Sequence, residues 1–335
     1  MMERVAVLGA GSWGTTLAAL LAEKGFYVTL WARTPDLART ISKTHENPPY
    51  LPGLKLPERL KGTSSLEEAL KGSTMVVSAI PSHGVRKVFE KAGAYMSGEL
   101  VLVSATKGIE EGTLRTPSRI LKEVLPEIRY DSIVVLSGPS FAGEVSRKLP
   151  AAVSAASASS ISASRVQQAF STDRFRVYTN TDTVGVELGG ALKNVIAIAS
   201  GICDGLKLGN NARAALITRG LAEITRLGVR MGGRSQTFAG LSGLGDLVLT
   251  CTGASSRNYT VGYEIGRGRT LDDVVGSMRM VAEGVKTCNA VKSLAFMQGV
   301  EMPIAEEVWQ VLYNGKPAKE AVLELMTREL KSEHG

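Results

Sequence analysis

Short, largely apolar runs alternate with amphipathic stretches through the first half of the chain. Residues 5–8, 27–31, 75–80, 100–104 and 133–137 read as buried strands. Continuous Val, Ile and Leu without polar alternation suits a strand covered on both faces. Between them, residues 15–24, closed by Gly25, and residues 84–94 predict helices. Repeated βα units predict a parallel sheet with helices on both faces. Residues 151–156 and 176–178 extend that sheet. The Ala/Ser-rich residues 155–164 predict a strand end and a serine-capped helix start that leads into 166–170.

After about residue 180 the strand signal fades. Residues 184–202 and 211–227 predict long helices with broad apolar faces, followed by helices over 260–267, 285–298 and 303–313. The chain therefore divides near Asn180 into an α/β domain, residues 1–180, and a helical domain, residues 181–335. A length of 335 residues, with 44% apolar and 21% charged residues, suits two domains with their own cores. No apolar run reaches the roughly 18 residues of a membrane span. The N-terminus reads as a strand leading into a turn rather than as a signal peptide. Cys203, Cys251 and Cys288 form no CxxC pair, which points to a reducing, cytoplasmic compartment. His45, His83 and His334 are equally scattered, so no metal site is expected. The net charge of +7 comes from Lys and Arg spread along the chain. That pattern argues against nucleic acid and suits anionic small molecules.

The first strand runs straight into Gly9-Ala10-Gly11-Ser12-Trp13-Gly14 and a helix. In that setting Gly9 permits a tight turn, Gly11 lets backbone amides approach a pyrophosphate, and Gly14 lets helix pack closely on strand. The helix N-terminus adds partial positive charge toward the phosphates. Trp13 is either core or a lid over the cofactor. The second strand ends in Trp31-Ala32-Arg33-Thr34, with no acid before Asp36. An arginine there faces a 2′-phosphate, which favours NADP(H) while leaving NAD(H) possible; the other reading is a solvated Arg33.

Three further stretches fall where a doubly wound sheet places ligands. SATKGIE offers Lys107, LSGPSFAGEV offers Gly138 and Ser140, and GGALKNVIAIASGI carries Lys193 and Asn194. Gly189 and Gly190, one turn before Lys193, leave room for a ligand. An ammonium in apolar surroundings loses hydration, and its pKa falls toward the working range of an acid/base. The competing reading is a lysine snorkelling to the surface. GLSGLGDLVLTCTGASSRNYTVG adds Asp246, Ser256, Arg257 and Asn258. Asp246 suits a group that orients or compensates a neighbouring lysine. Arg257 suits a phosphate clamp, because a guanidinium meets phosphate with paired hydrogen bonds. The alternative for Ser256-Arg257-Asn258 is a polar loop capping the next helix.

Together, GAGSWGTTLA, SATKGIE, LSGPSFAGEV, ALKNVIAIASGICDGL, LSGLGDLVLTCTGASSRN and VAEGVKT resemble the bacterial NAD(P)-dependent glycerol-3-phosphate dehydrogenase family, in order and spacing over nearly the whole chain. The resemblance implies a Rossmann-type, mostly parallel sheet domain followed by an all-helical C-terminal domain, 6-phosphogluconate-dehydrogenase-like. It implies reversible reduction of dihydroxyacetone phosphate to sn-glycerol 3-phosphate, feeding glycerophospholipid synthesis, by a homodimer. Lys193 then matches the catalytic lysine, exchanging a proton with the carbonyl oxygen. Lys107, Gly138, Ser140, Asp246, Ser256, Arg257 and Asn258 match substrate contacts. Ser12, Trp13, Arg33, Tyr50, Ala142, Val281 and Glu283 match cofactor contacts, with Lys107 and Arg257 near both ligands. Met280 stands where the motif would carry threonine. The nearest rival is a hydroxyacid or ketopantoate-type reductase, which has no need of a phosphate clamp.

Overall fold

The continuous apolar runs become the middle of one sheet. The computed structural model describes residues 3–96, 100–128, 132–253, 255–278, 282–330 and 332–333. Its strands are β1 (Arg4–Leu8), β2 (Tyr27–Trp31), β3 (Glu46–Asn47), β4 (Leu51–Lys55), β5 (Leu60–Thr63), β6 (Met75–Ser78), β7 (Val101–Ser104), β8 (Ile133–Ser137), β9 (Ala151–Ala156) and β10 (Phe175–Asn180). Eight of them form one sheet in the order β10-β9-β8-β7-β6-β1-β2-β5, and β3 pairs with β4 in a separate antiparallel hairpin. Within the large sheet only β8 and β9 run antiparallel. The central strands β6, β7 and β8 are buried at every position, because helices cover both faces.

Several boundaries differ from the sequence reading. The first helix begins at Ser12 rather than at residue 15, directly after the glycine turn. β6 stops at Ser78, and Ser82–Gly84 forms a 3₁₀ turn before the helix Val85–Ala92. The pattern does not announce β5 because Lys61 and Gly62 interrupt it; pairing with β2 makes it a strand. The helices Pro35–Thr44, Pro117–Val124, Leu271–Ser277 and Ala318–Met326 also lie outside the expected set. The expected serine cap is present: Ser159 accepts a hydrogen bond from the Ser162 amide at the start of Ser160–Phe170.

Beyond β10 the described chain is helical. Thr183–Gly205, capped by the Asp182 carboxylate on the Gly185 amide (2.8 Å), is buried along nearly its whole length. Its length and mean hydropathy of 1.4 reach those of a membrane span, in contrast to the expectation that no run would. Its surface is nevertheless enclosed entirely by protein, as a helix apolar on all sides requires. It serves as the axis of the helical half. The helix Arg257–Gly266 packs on it backbone to backbone: a Cβ on Gly262 would fall 1.9 Å from the Ile198 carbonyl oxygen. Two buried carboxylates fasten other elements around this axis. Glu187 accepts from the amide (2.8 Å) and hydroxyl (2.6 Å) of Ser118, capping a helix that lacks a side-chain cap of its own. Glu223, on the helix Gly209–Arg230, does the same for Pro303–Tyr313 through the amides of Ile304 (2.7 Å) and Ala305 (3.2 Å). Burial pushes the Glu223 carboxyl up to about 7.

Candidate active site

At the C-terminal end of β1 the chain turns with Gly9 at φ +116°, a conformation that L side chains rarely adopt. A Cβ there would fall 2.6 Å from the Ala79 carbonyl oxygen, and one on Gly14 would fall 1.9 Å from the Gly9 oxygen. These two glycines are steric necessities. Gly11 is different: a Cβ would meet no atom within 4 Å. The helix Ser12–Glu23 that starts there has no side-chain cap. An open backbone face at an uncapped helix N-terminus fits a pyrophosphate group.

Four of the other expected cofactor residues, Ser12, Trp13, Tyr50 and Ala142, lie on or against this turn and its helix. Ser12 Oγ donates to the Tyr50 carbonyl oxygen (2.8 Å), joining the turn to the β3–β4 hairpin. Trp13 takes the core alternative on one side, with its ring 6.4 Å from Phe175. The Ala142 carbonyl accepts from Thr16 Oγ1 (3.3 Å). Arg33 is exposed just beyond β2, where its charge acts on His83. Val281 lies outside the described residues.

Across the cleft Asp246, 1% exposed, is the first residue of the helix Asp246–Thr252. One carboxylate oxygen accepts from Lys107 Nζ (2.6 Å), and the other accepts from Lys193 Nζ. Lys107 also donates to the Gly138 carbonyl (3.0 Å), which accepts from Ser140 Oγ as well (2.9 Å). Lys193 reaches Thr250 Oγ1 (2.6 Å) and is 6% exposed, so the snorkelling alternative fails. Burial drives its pKa from 10.5 down to about 8, and Lys107 adds to the fall; Asp246 opposes both. The room expected beside Gly189 and Gly190 is filled by protein. A Cβ on Gly189 would fall 2.6 Å from the Ser242 carbonyl, and one on Gly190 would fall 2.4 Å from Ser137 Oγ. Gly190 lets the core helix approach β8 closely and Gly189 lets it approach the segment Leu241–Gly245; neither admits a ligand.

Ser256-Arg257-Asn258 combines both readings offered for it. Ser256 caps the helix Arg257–Gly266 by accepting from the Tyr259 amide (3.2 Å). Arg257 occupies the first turn, and its charge acts on Glu283. Asn258 points inward: its amide donates to Asn194 Oδ1 (2.8 Å) and its oxygen accepts from the Gly284 amide (2.9 Å). Lys193, Arg257 and Glu283 are the immediate neighbours of these three knotted residues. Glu283 reaches the sheet half from the helical side, accepting from Ser82 Oγ (2.6 Å) and the Ser82 amide (3.3 Å). Burial pushes its carboxyl up, against the pull of Ser82 and Arg257.

Sequence reasoning missed Thr250 and Ser82. Thr250 carried a usable signal, since it lies four residues after Asp246 on the same helix face. Ser82 carried none, because its partner is 201 residues away. A cavity of about 1180 Å³ lies apart from this site, lined by residues such as Leu216, Ile304, Val308 and Met326, and includes none of the site residues.

Two family models cover the chain. The NAD-dependent glycerol-3-phosphate dehydrogenase N-terminus matches residues 4–163, and the C-terminus of the same family matches 182–323. A glycerol-3-phosphate dehydrogenase (NAD(P)+) of Citrifermentans bemidjiense is 59% identical over 333 residues, 99% of each chain. Its counterpart in Geobacter sulfurreducens is 57% identical over the same span and coverage. The crystal structure of glycerol-3-phosphate dehydrogenase from Coxiella burnetii superposes with a TM-score of 0.93 at 40% identity, covering 98% of this chain and 99% of that one.

The knot at Asn258 predicts a specific sensitivity. A methyl group on Gly284 would fall 2.7 Å from the Asn194 carbonyl and 2.8 Å from Asn258 Oδ1. Gly284→Ala is expected to lower kcat/KM by about 10- to 100-fold, because a misplacement of about 1 Å can cost on the order of 10²-fold. Steady-state kinetics with unchanged activity would show that the knot does not set the site.

Proposed function

The chain belongs to the NAD-dependent glycerol-3-phosphate dehydrogenase family, and from that premise we propose how its residues carry out the family's reaction. That reaction is the reversible reduction of dihydroxyacetone phosphate to sn-glycerol 3-phosphate, which feeds glycerophospholipid synthesis. The nicotinamide dinucleotide, when bound, supplies the hydride to the carbonyl carbon. Negative charge then grows on the carbonyl oxygen, where Lys193 stabilises it and gives up its proton; in the oxidative direction the neutral amine takes the proton back. The observation that carries this reading is the burial of Lys193, held by Asp246 and Thr250, with a pKa near 8. A proton donor whose pKa is near the working pH serves both directions.

Lys107 and Arg257 supply positive charge at the two edges of the site, and we assign them to the substrate phosphate and the cofactor. Gly138, Ser140, Asp246, Ser256 and Asn258 complete the substrate side, either by contact or by holding those cations. Phosphate makes no bond in the reaction, yet its capture orients the ketone with binding energy from a remote group. Identity of 59% over nearly the full chain favours this substrate over those of the hydroxyacid and ketopantoate-type reductases.

On the cofactor side, Gly9, Gly11, Ser12, Gly14, Tyr50 and Ala142 form or support the turn, and Trp13 backs it from the core. Glu283 and Val281 are assigned to the cofactor. Arg33, exposed at the end of β2 with no carboxylate in the ribose position, supports a preference for NADPH over NADH. The end of the sheet at Asn180 and the start of the core helix at Thr183 support a division near residue 180. A homodimeric, cytoplasmic enzyme is part of the same proposal.

Kinetics and dinucleotide binding of single variants test it. Lys193→Ala is expected to bind cofactor as the parent does and to lose about 10²–10⁴ in turnover, while Arg257→Ala chiefly raises the KM for dihydroxyacetone phosphate. A Lys193→Ala rate within about threefold of the parent, or equal parent turnover of unphosphorylated dihydroxyacetone, would contradict the assignment. Arg33→Ala is expected to weaken NADPH binding far more than NADH binding. Equal weakening of both would remove Arg33 from the 2′-phosphate site.

A further inference from the structure

We propose that Asn47 is a positioning residue for the dinucleotide: its buried side-chain amide holds the glycine turn so that the Gly11 N–H faces the pyrophosphate. The inference rests on the family reading above. Asn47 lies in β3, at a register irregularity of the hairpin, and is 0% exposed. Its Nδ2 donates to the Ala10 carbonyl oxygen (3.0 Å) and to Thr15 Oγ1 (2.7 Å). Ala10 is the middle of the turn and Thr15 belongs to the first turn of the following helix, so one NH₂ group spans both.

The consequence follows from peptide geometry. All described peptide bonds are trans, and in a trans peptide the C=O and the next N–H point in opposite directions. Anchoring the Ala10 oxygen toward the hairpin therefore turns the Gly11 N–H toward the other side. That is the side of an anion at the start of Ser12–Glu23, where the helix lacks a side-chain cap. Backbone bonds from the Gly9 amide to the Trp31 oxygen (3.1 Å) and from the Thr15 amide to the Gly11 oxygen (2.9 Å) hold the turn on either side, and Asn47 holds the Ala10–Gly11 plane between them.

The chemistry of the side chain supports a role beyond filling space. Asn47 Oδ1 is buried without a hydrogen-bond partner. A leucine would occupy a similar volume without burying an unpaired acceptor, which is costly to a fold. An amide at this position is explained by its two donors. The second link, from Ser12 Oγ to the Tyr50 carbonyl, joins the same hairpin to the same turn and keeps Asn47 within reach.

The test measures direct NADPH and NADH binding by calorimetry, together with kinetics and thermal midpoint, for Asn47→Ala and Asn47→Leu. Leucine matches the volume of asparagine and lacks the N–H donors, so it carries the test if the alanine variant does not fold. Dissociation constants are expected to rise at least about tenfold and by the same factor for both dinucleotides, because the pyrophosphate is common to them. At saturating cofactor, kcat and the KM for dihydroxyacetone phosphate are expected to stay within about threefold of the parent, and the thermal midpoint is expected to hold. Dinucleotide affinities within about twofold of the parent overturn the proposal, as does a loss of kcat that tracks the thermal midpoint with no cofactor-specific effect. Failure of both variants to fold assigns Asn47 to the core and overturns it too. A parent that binds neither dinucleotide would instead overturn the family reading.

Discussion

One carboxylate held between two ammonium groups organises this protein. Asp246 is almost wholly buried, and each of its oxygens is taken by a different lysine. Lys107 comes from the loop after β7 and Lys193 from the core helix of the other half. A buried carboxylate without partners would be costly, and a buried lysine equally so; the arrangement satisfies both while leaving one net positive charge in the cleft. That excess charge makes the site chemically useful. It draws an anionic substrate, while burial, with Lys107 adding to the effect, leaves Lys193 with a proton that is easier to release than that of a surface lysine.

The rest of the architecture keeps this triad in place from both sides. The sheet delivers Lys107 and Gly138 at adjacent strand ends, beside the glycine turn of β1. The helical half delivers Lys193, Arg257 and Glu283, each next to a residue of the buried Asn194–Asn258–Gly284 knot. The Ser82–Glu283 contact links the halves a second time, on the cofactor side. With the two lysines joined through Asp246 and the turn tied to the hairpin through Asn47 and Ser12, substrate side and cofactor side have little independent freedom. Hydride transfer between two bound molecules demands such mutual placement.

Much of this was legible in the residues, and the limits are instructive. The central strands were readable because burial on both faces demands uninterrupted apolar runs. β5 and the β3–β4 hairpin were not, because their polar and glycine residues become strand only through pairing with a neighbour. Lys193 could be singled out as a lysine among apolar residues, but burial and snorkelling remained equal options. Its deciding partner, Asp246, lies 53 residues away. Gly189 and Gly190 show the opposite failure: absent side chains mark a close approach without saying what approaches, and here it is protein. Asn47 gave no signal, since a short polar residue in a loop looks the same whether it is solvated or buried beneath a turn.

The pH dependence of kcat/KM in both directions tests the shared carboxylate most directly. With Lys193 as the proton donor, kcat/KM for reduction falls as pH rises through about 8, and kcat/KM for oxidation rises through the same point. Lys107→Met removes one of the two influences that depress this pKa, so the limb moves upward. Profiles that stay flat through that range, or that turn only near the ordinary lysine value of 10.5 in the parent, would contradict the account.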